Sequence, residues 1–256
     1  MGKVAVFDSG LGSLSIIQTI RKVTKADIVY FADQKNYPYG KKSNSDLRKI
    51  IESSIKLLEK KFRPDVIIVG SNTPSLLFPD LFMKSKTIMG VLPPLAEAQK
   101  KTKTKSIAIL GTTATIQSRH TVNFIKTNSK HNISIHMIDA SELIDLVETG
   151  KFIYNKIHCQ RIIEKTLTKI FVRHNIDVAT LSSTHLPFLL PILKKTFPHI
   201  LFLDPAGQVA TRLTENKYFK KSQRNSLMIF TSGNAKLLDK KLKKLKIRNK
   251  VRAMSL

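Results

Sequence analysis

The chain has 256 residues, with 44 Lys and Arg against 18 Asp and Glu, a formal net charge of +26. A hydrophobic share of 42% is enough to build real cores and excludes global disorder. No apolar run approaches the ~20 residues that span a bilayer, and a single cysteine, Cys159, excludes a disulfide framework and a thiol-rich metal site.

The chain opens Met1-Gly2-Lys3-Val4-Ala5-Val6-Phe7-Asp8, an acidic residue straight after a short apolar run. That predicts a first strand at 4–7 rather than a signal peptide, and so a cytoplasmic protein. Its exit, Asp8-Ser9-Gly10 with Gly12, leaves backbone amides free to approach an anion, although alone it reads as an ordinary turn. A strand at 27–32 leads into Tyr37-Pro38-Tyr39-Gly40-Lys41-Lys42-Ser43, a turn offering amides, a phenol and cations. Ser43 is a plausible N-cap for a helix over 43–62, with Asp46 in its first turn. Leu47, Ile50, Ile51, Ile55, Leu58 and Phe62 recur on one face of that helix.

Further strands are predicted at 65–70, 88–92, 106–110, 133–138, 177–181, 200–203 and 227–230. Ser71-Asn72-Thr73 and Ser183-Thr184-His185 place hydroxyls, an amide and an imidazole at strand ends. Glu148, just before Gly150, marks a helix C-terminus, where a lone Glu is usually solvated. The last segment, 234–252, carries Leu237, Leu238, Leu242 and Leu245 among nine Lys and Arg, and predicts a terminal helix docking its leucines.

Strand–helix alternation of this kind predicts an α/β fold with mainly parallel sheets. The length suits two domains of roughly 120–130 residues. A weak repeat relates Val66–Val69 and the following Gly70-Ser71-Asn72-Thr73 to Val178–Leu181 and the following Ser182-Ser183-Thr184-His185. Two similar lobes are expected, 1–93 with 205–256, and 94–204, with strand 227–230 pairing in the first. Open α/β sheets bind ligands beyond the carboxyl ends of their strands, so a pseudo-two-fold pair would place the active site in an interlobe cleft.

In order and spacing, the segments resemble the glutamate racemase family over nearly the whole chain. The matching pieces are Val6-Phe7-Asp8-Ser9-Gly10, Tyr30-Phe31-Ala32-Asp33 with Pro38-Tyr39-Gly40, and Asn72-Thr73-Pro74-Ser75. They continue through Gly111-Thr112-Thr113-Ala114-Thr115, Leu146-Val147-Glu148, Thr184-His185-Leu186-Pro187, Asp204-Pro205-Ala206 and Thr231-Ser232-Gly233. The resemblance implies a pyridoxal- and metal-free racemase in which two thiols, one per lobe, work on opposite faces of the α-carbon of glutamate or aspartate. It implies Asp8 as helper of the first base and His185 with Glu148 as helpers of the second. It implies Ser9, Pro38, Tyr39, Gly40, Asn72, Thr73, Thr115 and Thr184 as substrate-binding residues, no cofactor, and admits a homodimer.

At the centre of that mechanism the chain departs from the pattern. Where the family reads Cys-Asn-Thr it has Ser71-Asn72-Thr73, and where the family reads Gly-Cys-Thr-His it has Ser182-Ser183-Thr184-His185. A serine hydroxyl is far less acidic than a thiol, so racemase activity is expected to be reduced or lost. Gly70, Pro74 and Ser182 also differ from the usual pattern, which favours natural divergence over engineering. Two alternatives stand beside this reading. One is a diverged enzyme using Ser71 or Ser183 as nucleophile with His185 as base, for which no Gly-x-Ser-x-Gly elbow is present. The other is a non-catalytic protein binding a small carboxylate or, through its basic surface, nucleic acid. The lysines are spread along the chain without interleaved aromatics, so a merely solvated basic surface is the favoured reading of the charge.

Overall fold

A computed structural model describes residues 2–255 of the chain. It divides into two compact units, Met1–Val91 with Ala206–Leu256, and Leu92–Pro205. In chain order the strands are β1 (Lys3–Asp8), β2 (Asp27–Ala32), β3 (Val66–Val69), β4 (Ile88–Gly90), β5 (Ser106–Gly111), β6 (Ser134–Asp139), β7 (Val178–Leu181), β8 (Leu201–Leu203), β9 (Ser226–Thr231) and β10 (Val251–Ala253). The first unit holds one sheet in the order β10-β9-β2-β1-β3-β4, the second a sheet in the order β6-β5-β7-β8, and neighbours in both pair parallel. This is the expected α/β architecture.

The repeat seen in the sequence is a repeat of topology. Within each unit the first four strands lie in the order second, first, third, fourth, and the first unit adds β9 and β10 beyond β2. Strand 227–230 pairs with β2 in register from Asp27↔Ser226 to Ala32↔Thr231, the place expected for it. Both sheets have a point between their first and third strands where the order reverses, the place at which open α/β sheets bind ligands.

The strands could be read from sequence because helices cover both faces of a parallel sheet. Every residue of β2 and β3 is buried. The helix Asn44–Phe62 lays Leu47, Ile51, Ile55 and Leu58 over Ala5, Phe7, Val29, Phe31, Ile67 and Val69. Ser43 caps it, its hydroxyl accepting the Asp46 N–H at 3.1 Å, and Arg63 ends it in the left-handed region. In the second unit the helix Lys156–Arg173 turns Cys159, Ile163, Leu167 and Phe171 onto Ala108, Leu110, Ala179 and Leu181. No described helix is long and apolar enough to cross a membrane.

The terminal segment differs from its expectation. Its helix spans only Ala235–Lys244, with Leu238 and Leu242 buried and Leu237 exposed, and the chain then forms β10 beside β9. Lys246, at φ 62°, takes the left-handed turn. The Ile247 N–H reaches back to the Leu242 carbonyl at 2.9 Å and the Lys246 N–H to that of Lys243 at 3.0 Å, a pairing that closes a helix end.

A connection of ten residues brings the chain from near β4 to β9. The Asn216 amide donates to the Lys86 carbonyl at 2.9 Å, the Ser222 N–H to that of Lys25 at 2.9 Å, and Asn225 Oδ1 accepts the Ala26 N–H at 3.2 Å. Its anchor is Asp27, which accepts from Ser226 at 2.6 Å and Ser222 at 3.1 Å. The Ser226 bond first, then Ser222 and the charge of Arg224, outweigh burial and hold the Asp27 carboxyl below its usual range. A lowered folded pKa stabilises above the unfolded value of about 3.9 and is lost as pH falls through the folded one. Asp27→Asn is therefore expected to cost about 1–2 kcal/mol at neutral pH and progressively less below pH ~4. Urea unfolding of both proteins across that range checks it. A cost independent of pH would show that the carboxylate's charge plays no part.

Candidate active site

In the first unit the order-reversal point lies between the ends of β1 and β3, and Asp8, Ser9, Ser71, Asn72 and Thr73 follow those ends. Asp8 is buried, and its carboxylate organises the turn that follows β1. Oδ2 accepts the Ser13 N–H at 2.7 Å, and Oδ1 accepts the Gly10 N–H at 3.3 Å and the Tyr30 hydroxyl at 3.4 Å. The Tyr30 hydroxyl also donates to the Gly10 carbonyl. Asp8 thus fixes the loop that carries Ser9, which is itself buried.

The β3 exit is pressed against this turn. The Gly70 N–H donates to the Phe7 carbonyl at 2.7 Å, and a Cβ on Gly70 would stand 1.9 Å from Ser13 Oγ. Glycine at 70 is what lets the two exits meet. Ser71 follows in extended conformation (φ −143°, ψ 131°) at the start of the helix Asn72–Leu77, its hydroxyl not used to cap that helix. Pro74 falls in the first turn, where a missing N–H costs nothing. Asn72 is held by its Nδ2, which donates to the Val91 carbonyl at 3.1 Å, while its buried Oδ1 has no hydrogen-bond partner among the described residues.

Pro38, Tyr39 and Gly40 lie in the loop beyond β2, with Tyr39–Lys41 forming one turn of 3₁₀ helix. Tyr39 is buried, and its hydroxyl donates to Asp33 Oδ2 at 3.2 Å. Burial first, then the Asp33 charge, pushes the phenol well above its ordinary 10, so it stays a neutral donor. Asp33, fully buried, also accepts the Asn36 amide at 2.8 Å and the Ser232 hydroxyl at 2.8 Å, and the Lys35 N–H donates to Ser232 Oγ at 3.0 Å. One carboxylate ties the 33–41 loop to the end of β9. In the sequence Asp33 stands out only as the last residue of Tyr30-Phe31-Ala32-Asp33.

In the second unit the matching point lies between β5 and β7. Thr115, fully buried, shares a 2.9 Å hydroxyl contact with Thr112, which also accepts the Thr115 N–H at 3.2 Å. After β7, Ser183, Thr184 and His185 are all buried, and Ser182, at 1% exposure, spends its hydroxyl on Thr180 at 2.8 Å. His185 Nε2 lies 3.2 Å from Glu148 Oε2. Glu148 ends the helix Ser141–Glu148, and the pair joins residues 37 apart in sequence. A carboxylate on one imidazole nitrogen fixes the ring's tautomer and orientation. The lone Glu is therefore an imidazole partner, not a solvated helix end.

The chain's thiol chemistry is confined to Cys159. It is fully buried in the second unit's core, on the helix Lys156–Arg173, where burial pushes its pKa up. Among the described residues no three His, Cys, Asp or Glu side chains gather as a metal ligand set.

No protein-family model matches the chain. Among curated proteins it is 32% identical over 218 residues to the glutamate racemase of Chlorobaculum tepidum, covering 83% of this chain and 78% of that one. It is 33% identical over 235 residues to that of Buchnera aphidicola subsp. Schizaphis graminum, covering 87% and 88%. Among solved structures it superposes on Escherichia coli glutamate racemase, in complex with L-glutamate and the activator UDP-MurNAc-ala, with a TM-score of 0.82. That match has 22% identity and covers 99% of this chain and 97% of that one. With this likeness spread over the sequence and both units of the fold, the chain belongs to the glutamate racemase family.

Proposed function

We propose that this protein binds glutamate, or a dicarboxylic amino acid like it, on an intact racemase scaffold, and that its two-base proton transfer is slow because serine occupies both proton-transfer positions. The observation that carries the reading is chemical. The only sulfhydryl of the chain is buried in a core, so Ser71 and Ser183 are what stands at the two equivalent strand ends. The Escherichia coli relative holds L-glutamate, and the binding groups implied by family membership are present here.

In this reading Ser9, Pro38, Tyr39, Gly40, Asn72, Thr73, Thr115 and Thr184 hold the ammonium and the two carboxylates. The unpartnered Asn72 Oδ1 supports it, because a buried acceptor costs about 1–3 kcal/mol unless a donor such as an ammonium meets it. Hydroxyl and amide donors suit carboxylates and can offset charge developing on the α-carboxylate as the α-proton leaves. Asp8 and the His185–Glu148 pair assist at the two positions. No cofactor enters the scheme, and the protein works in the cytoplasm.

Calorimetry with L- and D-glutamate, and exchange of the α-proton in deuterated water, test the proposal together. Binding of either enantiomer with exchange ~10²-fold or more below a two-thiol enzyme is expected. Absence of binding to glutamate and aspartate alike would overturn the substrate assignment. Fast exchange would overturn the claim that serine cannot serve.

A further inference from the structure

Lysines scattered through the sequence are gathered by the topology of the first unit. Its strands all run parallel, so every segment that leads into a strand lies along one edge of the sheet. Lys3 with segments 21–27, 59–65, 84–87, 215–226 and 241–250 contains 19 Lys and Arg against 4 Asp and Glu, net +15 of the chain's +26. At the opposite edge, where Asp8 and Ser71 lie, segments 8–12, 32–43, 70–71 and 231–234 contain three lysines and two aspartates. The charge therefore sits away from the site where an anionic substrate would bind.

Some of these cations have a local reason. The helices Ser13–Val23, Asn44–Phe62 and Ala235–Lys244 end on this edge with Arg21 and Lys22, Lys60 and Lys61, and Lys241, Lys243 and Lys244, and a helix C-terminus favours positive charge. The connection between Asn216 and Ser226 is not helical, and beyond Lys217, which follows the end of the helix Ala206–Glu215, its cations have no such reason. It is tied to the starts of β4 and β2 by the bonds described above. At β1 it comes so close that a Cβ on Gly2 would lie 1.3 Å from the Lys220 carbonyl. It thus runs across the sheet from β4 to β9, roughly 19 Å at about 4.8 Å per strand, and Lys217, Lys220, Lys221 and Arg224 on it are all exposed. The carboxylate beneath it, Asp27, is buried, bonded to Ser222 and Ser226, and offsets only one of the strap's four positive charges.

We propose that this edge of the first unit binds the phosphate backbone of double-stranded nucleic acid without reading its sequence. A duplex presents one phosphate per ~3.4 Å on each strand, so the strap spans about five phosphates with four cations, flanked by those of 21–25 and 241–250. A line of cations matches a linear polyanion. The exposed large apolar side chains on or beside this edge, Val23, Met83 and Tyr218, come from three different segments and do not make the apolar face of one helix with which a surface helix enters lipid.

The test is fluorescence anisotropy of a short labelled duplex with the full chain across ~50–200 mM salt. The variants are Lys217→Gln, Lys220→Gln, Lys221→Gln and Arg224→Gln combined, and a control with the same charge change in the second unit, Lys126→Gln, Lys169→Gln, Lys194→Gln and Lys195→Gln. Each phosphate contact contributes about 0.9 to the slope of log K against log salt. The strap variant should flatten the slope by roughly 3–4 and weaken binding about tenfold or more, and the control should change affinity by no more than ~2-fold. Asn216, Ser222 and Asn225 are kept, so the bonds that hold the strap survive. Should the variant still misfold, lysine acetylation of the unaltered protein decides, with duplex expected to protect Lys220 and Lys221 but not Lys194 and Lys195. Equal losses in both variants, absence of duplex binding by the parent, or protection by anionic vesicles in place of duplex would each overturn the proposal.

Discussion

Returning sulfur to both strand ends, Ser71→Cys together with Ser183→Cys, is expected to raise α-proton exchange of glutamate in deuterated water by several orders of magnitude. The two positions are topologically equivalent, each following the third strand of its unit, β3 or β7. A thiol with an ordinary pKa near 8.5 needs only modest help from its neighbours to be a thiolate at neutral pH, whereas a serine alkoxide at that pH is implausible. A tuned acid or base is worth ~10²–10⁴ in rate per group. Cys for Ser is close to isosteric, so the neighbouring bonds of Asp8 and of the His185–Glu148 pair should survive. Either single change should restore exchange on one face at most, because inversion needs a base on one side and an acid on the other. A double variant that binds glutamate yet exchanges no α-proton would sink the proton-transfer roles of these positions. One that neither binds nor exchanges glutamate or aspartate would show that the pocket has turned to another substrate.

Much of the fold was legible because burial on both faces of a parallel sheet leaves a continuous apolar run, as in Val66–Val69 or Val178–Leu181. β10 was not, because only Val251 of its three residues is buried and the leucines before it extend a helical pattern. The helix in fact stops at a left-handed Lys246, a conformation that no residue type there announces. Polar residues could be placed at strand ends from the sequence, and the repeat paired Ser71 with Ser183, which follow β3 and β7. The reasons for the neighbouring departures could not be read. Gly70 answers Ser13, 57 residues earlier, and Ser182 answers Thr180 inside the second unit. The basic edge was hidden for the same cause, since segments far apart in sequence become neighbours only through the sheet order. Asp33 is the clearest case. Its partner Ser232 lies 199 residues away, so nothing local marks the aspartate as a junction.

Asp33→Ala is accordingly expected to be among the most damaging single changes in the first unit. The carboxylate is fully buried and accepts from Asn36, Tyr39 and Ser232, and alanine would strand two buried hydroxyls and a half-buried amide. Leaving a buried donor unmet costs about 1–3 kcal/mol, more beside a charge, so a loss of about 3–5 kcal/mol is expected after partial relaxation. That is a large part of the stability a domain ordinarily has. Tyr39→Phe removes one hydroxyl and should cost only about 1 kcal/mol, and Ser232→Ala about 1–2 kcal/mol because the Lys35 N–H loses its acceptor as well. Asp33→Asn separates positioning from mere filling. Its carbonyl oxygen can still accept from Tyr39 or Ser232, but its amide must face another donor, so the cost should fall between those of alanine and the parent. Because Asp33 holds the loop carrying Pro38, Tyr39 and Gly40, glutamate affinity should weaken in the same order, Asp33→Ala more than Asp33→Asn, even at temperatures where each variant is fully folded. Thermal unfolding read beside glutamate titration at low temperature separates the two effects. If Asp33→Ala unfolds within a degree or two of the parent, the carboxylate is not the junction its bonds describe. If it is destabilised yet binds glutamate unchanged, the loop takes no part in holding the substrate.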